Sequence, residues 1–364
     1  MPSPDTSILI VGAGPTGLTA AIELARRGLR PRIVDKKEGP TPLSKAVGIS
    51  SHSLDVLEAS GVSKRLLAQG LKVRHVHFHV ETRELATIDF SLLPHRYNFL
   101  LSLPQRETET IMADTLAAFG IGVEWRTALI GLTPCADKVE ARIGKSGKEE
   151  KHDFDIVFGA DGADSTVRKS LGIDFEGYTH KRQWSITDAE LASWPYEPGA
   201  AQAFLFRNGD VGFIIPIGEN RFRAVSNTPD ALLHVPGNYR VSQVLRTDRF
   251  HIPIRQAVSY QTTAIFLGGD AAHVHSPLGA RGMNLGIEDA ASFARRLDNG
   301  TLERYSHERR PVGRRWIKLS ERILWTAQST NGFVKALRNL AMLTIGGIPV
   351  LQRPMLERVA GLKE

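Results

Sequence analysis

The sequence holds a single cysteine, Cys135, in 364 residues. One thiol can form neither an intrachain disulfide framework nor a cysteine-ligated structural zinc site, so a reducing compartment is expected. Long apolar runs are missing too. The longest, residues 340–351, is broken by Gly346, Gly347 and Pro349 and falls short of the roughly 20 residues a membrane span needs. No basic leader precedes the apolar run 8–11, so no secretory signal is expected and the cytoplasm is the expected location. A spread of positive charge is also lacking. The formal net charge is +7, yet residues 1–300 hold 34 Lys/Arg and 34 Asp/Glu, while residues 301–364 hold 12 against 5. The body is balanced, which argues against a nucleic-acid partner. The basic C-terminal segment reads as a solvated helical face, with docking to a partner or an acidic lipid surface left open.

What is there is an ordinary core-forming chain, 42% hydrophobic and 23% charged, long enough for two domains or one large fold with an insertion. The first 35 residues read as βαβ: an apolar strand at 8–11, a glycine turn, a helix with Leu18, Ala21, Ile22 and Ala25 on one face, a stop at Gly28, and a strand ending at Asp35. The pattern predicts a helix over 105–119, strands over 123–143, a buried strand over 154–160 and a short helix over 165–171 closed by Gly172. From 175 to 261, strand-like stretches at 203–206, 211–215 and 222–225 alternate with Gly, Asn, Asp and Pro turns, the mark of an antiparallel sheet inserted into an α/β protein. A buried strand returns at 264–268, and a helix rich in small residues starts near Asn284. After 301 the spacing of Trp316, Leu319, Ile323, Leu324 and Ala327 is helical, with apolar faces expected to pack on the body.

The first chemical signature is Gly12-Ala13-Gly14-Pro15-Thr16-Gly17 between strand and helix, with Asp35 closing the next strand 18 residues after the last glycine. Gly12 makes the tight turn, Gly14 lets backbone approach a pyrophosphate, Gly17 allows close helix-strand packing, and Asp35 can accept ribose hydroxyls. The unit predicts dinucleotide binding without separating NAD from FAD. No second such triplet occurs.

Two further stretches separate them. Gly159-Ala160-Asp161-Gly162-Ala163-Asp164-Ser165-Thr166-Val167-Arg168, and Gly269-Asp270-Ala271-Ala272-His273 followed by Pro277, Gly279, Gly282, Met283 and Asn284, resemble the paired motifs of the single-component, FAD-dependent aromatic hydroxylases, the p-hydroxybenzoate hydroxylase-like flavoprotein monooxygenases. The resemblance covers nearly the whole chain. It implies an α/β fold with a Rossmann-type (GR2-like) FAD-binding domain from 1–73, 102–175 and 262–300. An inserted antiparallel β-sheet substrate domain from 74–101 and 176–261 and a C-terminal helical segment 301–364 complete it. It implies non-covalent FAD touching Gly12, Gly14, Pro15, Thr16, Gly17, Asp35, Lys36, Lys45, Gln105, Asp161, Asp270, Gly279, Gly282, Met283 and Asn284, with Asp270 on the ribityl chain. Asp161 and Arg168 would serve transient NADPH or NADH. Such proteins commonly carry arginine where Lys45 and His52 stand.

The activity implied is NAD(P)H- and O₂-dependent hydroxylation of a small aromatic, phenolic or polycyclic substrate, with O₂ adding to the flavin C4a carbon. The alternatives are a related flavoenzyme of other chemistry, a halogenase or double-bond reductase, or a non-catalytic flavin-binding protein. A homodimer is left open.

The residues give the second motif a physical sense of their own. Pro277, Gly279 and Gly282 let backbone lie against a flat ring, and the helix start near Asn284 presents free amides that suit an anion. His273 and Pro277 are the candidates beside the reacting ring. Trp184, Phe204, Phe213 and Ile215 suggest one apolar sheet face that buries an aromatic substrate, with Trp184, Phe213 and Pro277 as its wall and His75, His77, Tyr178 and His180 as polar handles. His75, His77 and His79 alternate with Val76 and Phe78, which puts three imidazoles on one strand face. No carboxylate is evident by spacing, so no metal is expected.

Overall fold

The computed structural model describes residues 3, 5–42 and 46–363. Continuous apolar runs become strands buried on both faces. Ile8–Val11, Ile156–Gly159 and Ile265–Leu267 sit side by side with Arg32–Val34 and Val123–Glu124 in one five-stranded parallel sheet, whose centre is Ile8–Val11. Helices Pro15–Ala25 and Gly282–Asp298 pack on each other, and the core behind them is aromatic. Phe158 stacks on Phe293 at 4.4 Å, with Tyr305 edge-on to both and Phe266 tilted against Phe293.

Strands Thr127–Pro134, Val139–Lys145 and Lys148–Phe154 form a separate antiparallel meander. Its second hairpin turns at Ser146 and Gly147, both at positive φ, the geometry that matches strand twist.

A seven-stranded sheet runs in the order Arg240–Phe250, Trp184–Ser193, Arg221–Ser226, Val211–Gly218, Ala201–Leu205, His75–Val80, Arg83–Asp89. The expected sheet was purely antiparallel; this one is mixed, because Ala201–Leu205 and His75–Val80 pair in parallel. The two strands come from distant parts of the chain, so no hairpin dictates their relative direction.

Three helices close the chain. Tyr305–Gln328 buries Trp316, Leu324 and Ala327, as their spacing predicts, while Ile323 faces out. Gly332–Gly347 corrects the expectation that apolar faces pack inward: it has no buried residue, and Phe333, Leu337 and Leu340 are exposed. The physical reason is Arg338. Its guanidinium donates to the carbonyl oxygens of Thr326 and Ala327 at 3.2 and 3.0 Å and satisfies the end of the preceding helix, so Arg338 shares the inward side with the partly buried Met342 and Ile345 while the other apolar residues face out. Pro349–Val359 follows after a 102° bend. Among the described residues no single helix is long and apolar enough to cross a membrane, although this bent pair reaches that length and composition together.

Candidate active site

Strand Ile8–Val11 runs into Gly12 at φ 102°, where a Cβ would lie 2.3 Å from the Ala160 oxygen. Gly17 is closed as tightly, its Cβ position 1.8 Å from the Gly12 oxygen. Gly14 differs: a Cβ there would meet only Glu109 Oε1, at 3.9 Å. It is also the N-cap of helix Pro15–Ala25, and no side chain caps that end. Bare backbone beside uncapped amides is an anion cradle, which fits the pyrophosphate of a dinucleotide.

Asp35 is buried beside this turn. Its Oδ2 accepts from the Ala13 amide at 2.7 Å and its Oδ1 from the Lys37 amide at 2.8 Å. The carboxylate thus ties the turn to the strand end and keeps further lone pairs for a hydroxyl. Lys36 is exposed next to it, and Lys45 lies outside the described residues. Gln105 opens helix Gln105–Ala118 and donates to Glu109 Oε1 at 2.7 Å, while Glu109 Oε2 accepts from the Thr41 amide at 2.6 Å. Glu109 is fully buried, and burial pushes its carboxyl up despite these bonds. Sequence reasoning missed it, although it follows Gln105 by one helical turn.

Asp161 organises the start of helix Thr166–Ser170. It accepts from Ser165 Oγ at 2.5 Å and from the Thr166 and Val167 amides at 2.6 and 3.1 Å; burial pushes its carboxyl up against their pull. Arg168 is 4% exposed and donates to the Ala271 and Ala163 oxygens at 2.9 and 2.8 Å, with its guanidinium 3.8 Å over the Phe175 ring. It therefore braces the Asp161 turn against the turn Gly269–Ala271, where Asp270 is exposed. Thr16 joins the same region from the other side. A Cβ at Gly269 or Gly286 would come within 2.4 or 2.2 Å of Thr16 Oγ1, so these two glycines make the notch that lets the first helix meet the later one.

The loop from Pro277 to Gly282 is open where it matters. Gly279 and Ala280 take φ 94° and 51°; a Cβ at Gly279 meets nothing within 4 Å, and at Gly282 only His275 Nε2 at 4.0 Å. The 17-residue helix beginning at Gly282 has no side-chain cap. Asn284 is fully buried and clips the loop in place: Nδ2 donates to the Gly48 and Ala280 oxygens at 2.9 and 2.7 Å, and Oδ1 accepts from the Ser50 amide at 2.8 Å. Met283 is half-buried against the main core. His275 bonds the Ser276 oxygen through Nδ1, while its buried Nε2 has no protein partner. Burial pushes it down to about 4, so the imidazole is neutral at ordinary pH. An orphaned nitrogen beside open glycine backbone fits a flat group with polar edges.

Under the loop lies an ionic cluster that sequence reasoning did not find. Asp289 Oδ2 is 2.7 Å from His273 Nε2 and accepts from the Gly269 amide at 3.0 Å, and its Oδ1 accepts from Arg309 Nε at 2.7 Å. Glu288 takes Arg281 at 2.6 Å, and Arg281 lies 4.9 Å from the centre of the Trp316 ring. Burial opposes ionisation of Asp289, but His273 and Arg309 outweigh it and hold the carboxyl below its usual range. His273 is thus committed to this cluster, and Pro277 stands exposed at the loop's rim. The partners Asp289 and Arg309 come from helices whose pairing no local spacing reveals.

The substrate-wall residues divide. Trp184 is fully buried in a cluster with Leu205, Val211, Leu278 and Leu324, against which Phe213 packs half-buried. Leu278 belongs to the Pro277–Gly282 loop, so this apolar face and the glycine-lined loop are in contact. Phe204 is a correction: its register partner is Gly212 whereas that of Phe213 is Ala203, so Phe204 packs on the opposite face with Ile214 and Phe222. His77 and His79 pair with Gln202 and Phe204 and share that opposite face, as does His75, so the histidines do not line the Phe213 side. Tyr178 and His180 line a surface cleft against Glu321, Trp325 and Gln328, with Tyr178 donating to Glu321 at 2.6 Å. Glu197, invisible to spacing, reaches both His75 and His77.

Comparison with known proteins agrees with this geometry. The FAD binding domain family matches residues 5–235 and 234–320. The 6-methylpretetramide 4-monooxygenase of Streptomyces rimosus is 32% identical over 85% of this chain and 60% of its own length. The pentachlorophenol 4-monooxygenase of Sphingobium chlorophenolicum is 30% identical over 87% of this chain and 64% of its own. The chain thus spans under two thirds of these relatives. A crystal structure of p-nitrophenol 4-monooxygenase from Pseudomonas putida shares the fold, with a TM-score of 0.88 over 99% of this chain and 100% of that one, at 20% identity. The chain belongs to the FAD-binding domain family, its relatives are flavin-dependent monooxygenases of aromatic compounds, and FAD is its cofactor.

Proposed function

We propose that this protein is an FAD monooxygenase that uses NAD(P)H and O₂ to hydroxylate an aromatic substrate, phenolic or polycyclic. The observation that carries the reading is the contact, through Leu278, between the open glycine loop and the apolar sheet face holding Phe213. A flat redox ring and a flat apolar substrate need such neighbouring surfaces, and the relatives named for pentachlorophenol and 6-methylpretetramide point the same way.

In this reading residues 1–73, 102–175 and 262–300 form a Rossmann-type unit that holds FAD, and residues 74–101 and 176–261 supply the substrate side. Residues 301–364 are the helical segment that backs both. The backbone at Gly12, Gly14 and Pro15 to Gly17 would cradle the pyrophosphate, Asp35 the adenosine ribose and Asp270 the ribityl chain. When bound, FAD supplies the electron transfer and oxygen activation that no side chain here can perform. The chain does the rest. The uncapped amides at Gly282 favour negative charge at the ring edge. Neutral His275 offers a nitrogen without adding positive charge, Asn284 and Arg281 hold the loop in shape, and Leu278 and Phe213 exclude water. With no second glycine triplet, the nicotinamide nucleotide binds transiently near the turn that Asp161 and Arg168 brace.

Replacing Asp270 by Ala removes a charge-assisted hydrogen bond worth about 1.5 to 3 kcal/mol and is expected to loosen FAD by about one to two orders of magnitude. Flavin retention measured by ultrafiltration checks this; parental retention removes Asp270 from the site.

A further inference from the structure

The seven-stranded sheet carries, on the face away from Phe213 and Leu278, two imidazoles and a carboxylate that converge. His75 and His77 stand two apart on strand His75–Val80, whose backbone is paired on both sides, so their spacing is fixed by the sheet. Residues 194–200, which link strand Trp184–Ser193 to strand Ala201–Leu205 across the sheet, bring in Glu197. Glu197 Oε1 is 2.8 Å from His75 Nδ1, and its Oε2 is 2.9 Å from His77 Nε2. One ligand atom from each residue falls within 4.8 Å of the other two. In a tetrahedral site with bonds of about 2.0 to 2.2 Å, neighbouring ligand atoms lie about 3.3 to 3.5 Å apart. To hold an ion, the two short contacts, which run to different oxygens of Glu197, have to open by about half an ångström, and the wider separations, up to 4.8 Å, have to close by about an ångström through side-chain rotation.

The ring nitrogens turned away from the shared point also have partners. His75 Nε2 faces Asp89 Oδ1 at 3.6 Å, and His77 Nδ1 faces Thr87 Oγ1 at 2.9 Å and Glu84 Oε1 at 3.3 Å. Metal-ligating imidazoles characteristically have a carboxylate or hydroxyl on the far nitrogen, which fixes the tautomer and raises ligand basicity. A simple hydrogen bond from each histidine to Glu197 would need neither partner. His77 is largely covered while Glu197 is 45% exposed in its side chain, so the remaining coordination positions are open to water.

We propose that His75, His77 and Glu197 form a binding site for a divalent transition metal of the zinc type. Two imidazoles and a carboxylate suit Zn²⁺ and disfavour Mg²⁺, which demands an oxygen octahedron. The bound ion ties the 194–200 segment to the sheet. That segment carries Trp194 and Tyr196, which cover Phe204 and Phe222 on this face, so the site acts on the stability of the sheet and stands apart from the flavin loops.

The test uses untagged holoenzyme, stripped of metal by dialysis against a chelator and titrated with ZnCl₂ by calorimetry at pH 7.5. One saturable zinc per chain is expected, with a rise in melting temperature. His77→Ala and Glu197→Gln each weaken binding by about tenfold or more and abolish the thermal shift, and Asp89→Asn weakens it by about tenfold through the outer contact. FAD content and circular dichroism at the parental level show that the variants are folded. MgCl₂ gives no saturable binding. The chain holds 12 histidines, so stoichiometric zinc binding that both ligand variants leave at parental affinity places the ion elsewhere and overturns the proposal. Absence of saturable zinc binding, or equal binding of Mg²⁺, overturns it as well.

Discussion

Thr16 fills a notch that exists only because Gly269 and Gly286 have no side chains. Gly286→Ala would bring a methyl to 2.2 Å from Thr16 Oγ1 and force the two helices apart. Such overpacking costs about 1 to 3 kcal/mol, and since the displaced helix starts at Gly282, in the loop proposed to face the flavin, FAD retention is expected to fall with the melting temperature. Both quantities unchanged from the parent would mean that the two helices do not depend on this contact. His275 gives a pH prediction. Its folded value of about 4 lies below the ordinary 6.5, so folding favours the neutral ring. Its contribution is therefore complete above pH 6.5 and is lost as pH falls from 6.5 to 4, amounting to about 3 kcal/mol at the acid end. Urea unfolding at pH 7.5, 6 and 5 is expected to show a steeper loss for the parent than for His275→Gln; parallel curves refute the assignment. At this scale Gly12, Gly14, Gly17 and Asp35 were legible in the sequence because a tight turn admits few residue types. Asp289 and Arg309 were not, because their partners sit on other elements 16 and 20 residues away, and Glu109 was not, because the Thr41 amide that completes its setting lies 68 residues away.

The parallel strands could be read directly, since Ile8–Val11 and Ile265–Leu267 are apolar throughout and each runs straight into a glycine, Gly12 or Gly268. Lys148–Phe154 could not, because its side chains are mostly exposed and its position comes from the Ser146-Gly147 turn and pairing with its neighbour. Spacing also gave helix Gly332–Gly347 correctly as a helix and wrongly as to which face packs, because Arg338 finds carbonyl acceptors inside. Arg338→Ala is expected to cost about 1 to 2 kcal/mol. Hydrogen exchange should accelerate across residues 324–347 while FAD content stays constant; unaltered exchange there would mean that Arg338 does not hold the two helices together. The two sheet faces give a paired prediction. Phe204→Ala, in a fully buried cluster, lowers stability by about 3 to 5 kcal/mol. Phe213→Ala, half-buried beside Leu278, chiefly raises the KM for the aromatic substrate. The reverse pattern would move the pocket to the other face.

At the scale of the molecule, the order of three glycine-containing motifs identified the family and its FAD. The substrate stayed illegible, because the wall proposed for it, Phe213 with Leu278, assembles from segments more than 60 residues apart and would specify a flat apolar shape with few polar demands. The central claim is oxygen transfer to an aromatic ring, and the measurement that reaches it directly is mass spectrometry of products from a phenol panel incubated with the FAD-loaded protein, NADPH and ¹⁸O₂. Incorporation of one ¹⁸O into a ring, with NADPH consumed in step and no product without FAD, is the predicted result. NADPH oxidation that yields hydrogen peroxide with every aromatic tested and leaves all of them unlabelled would contradict the account.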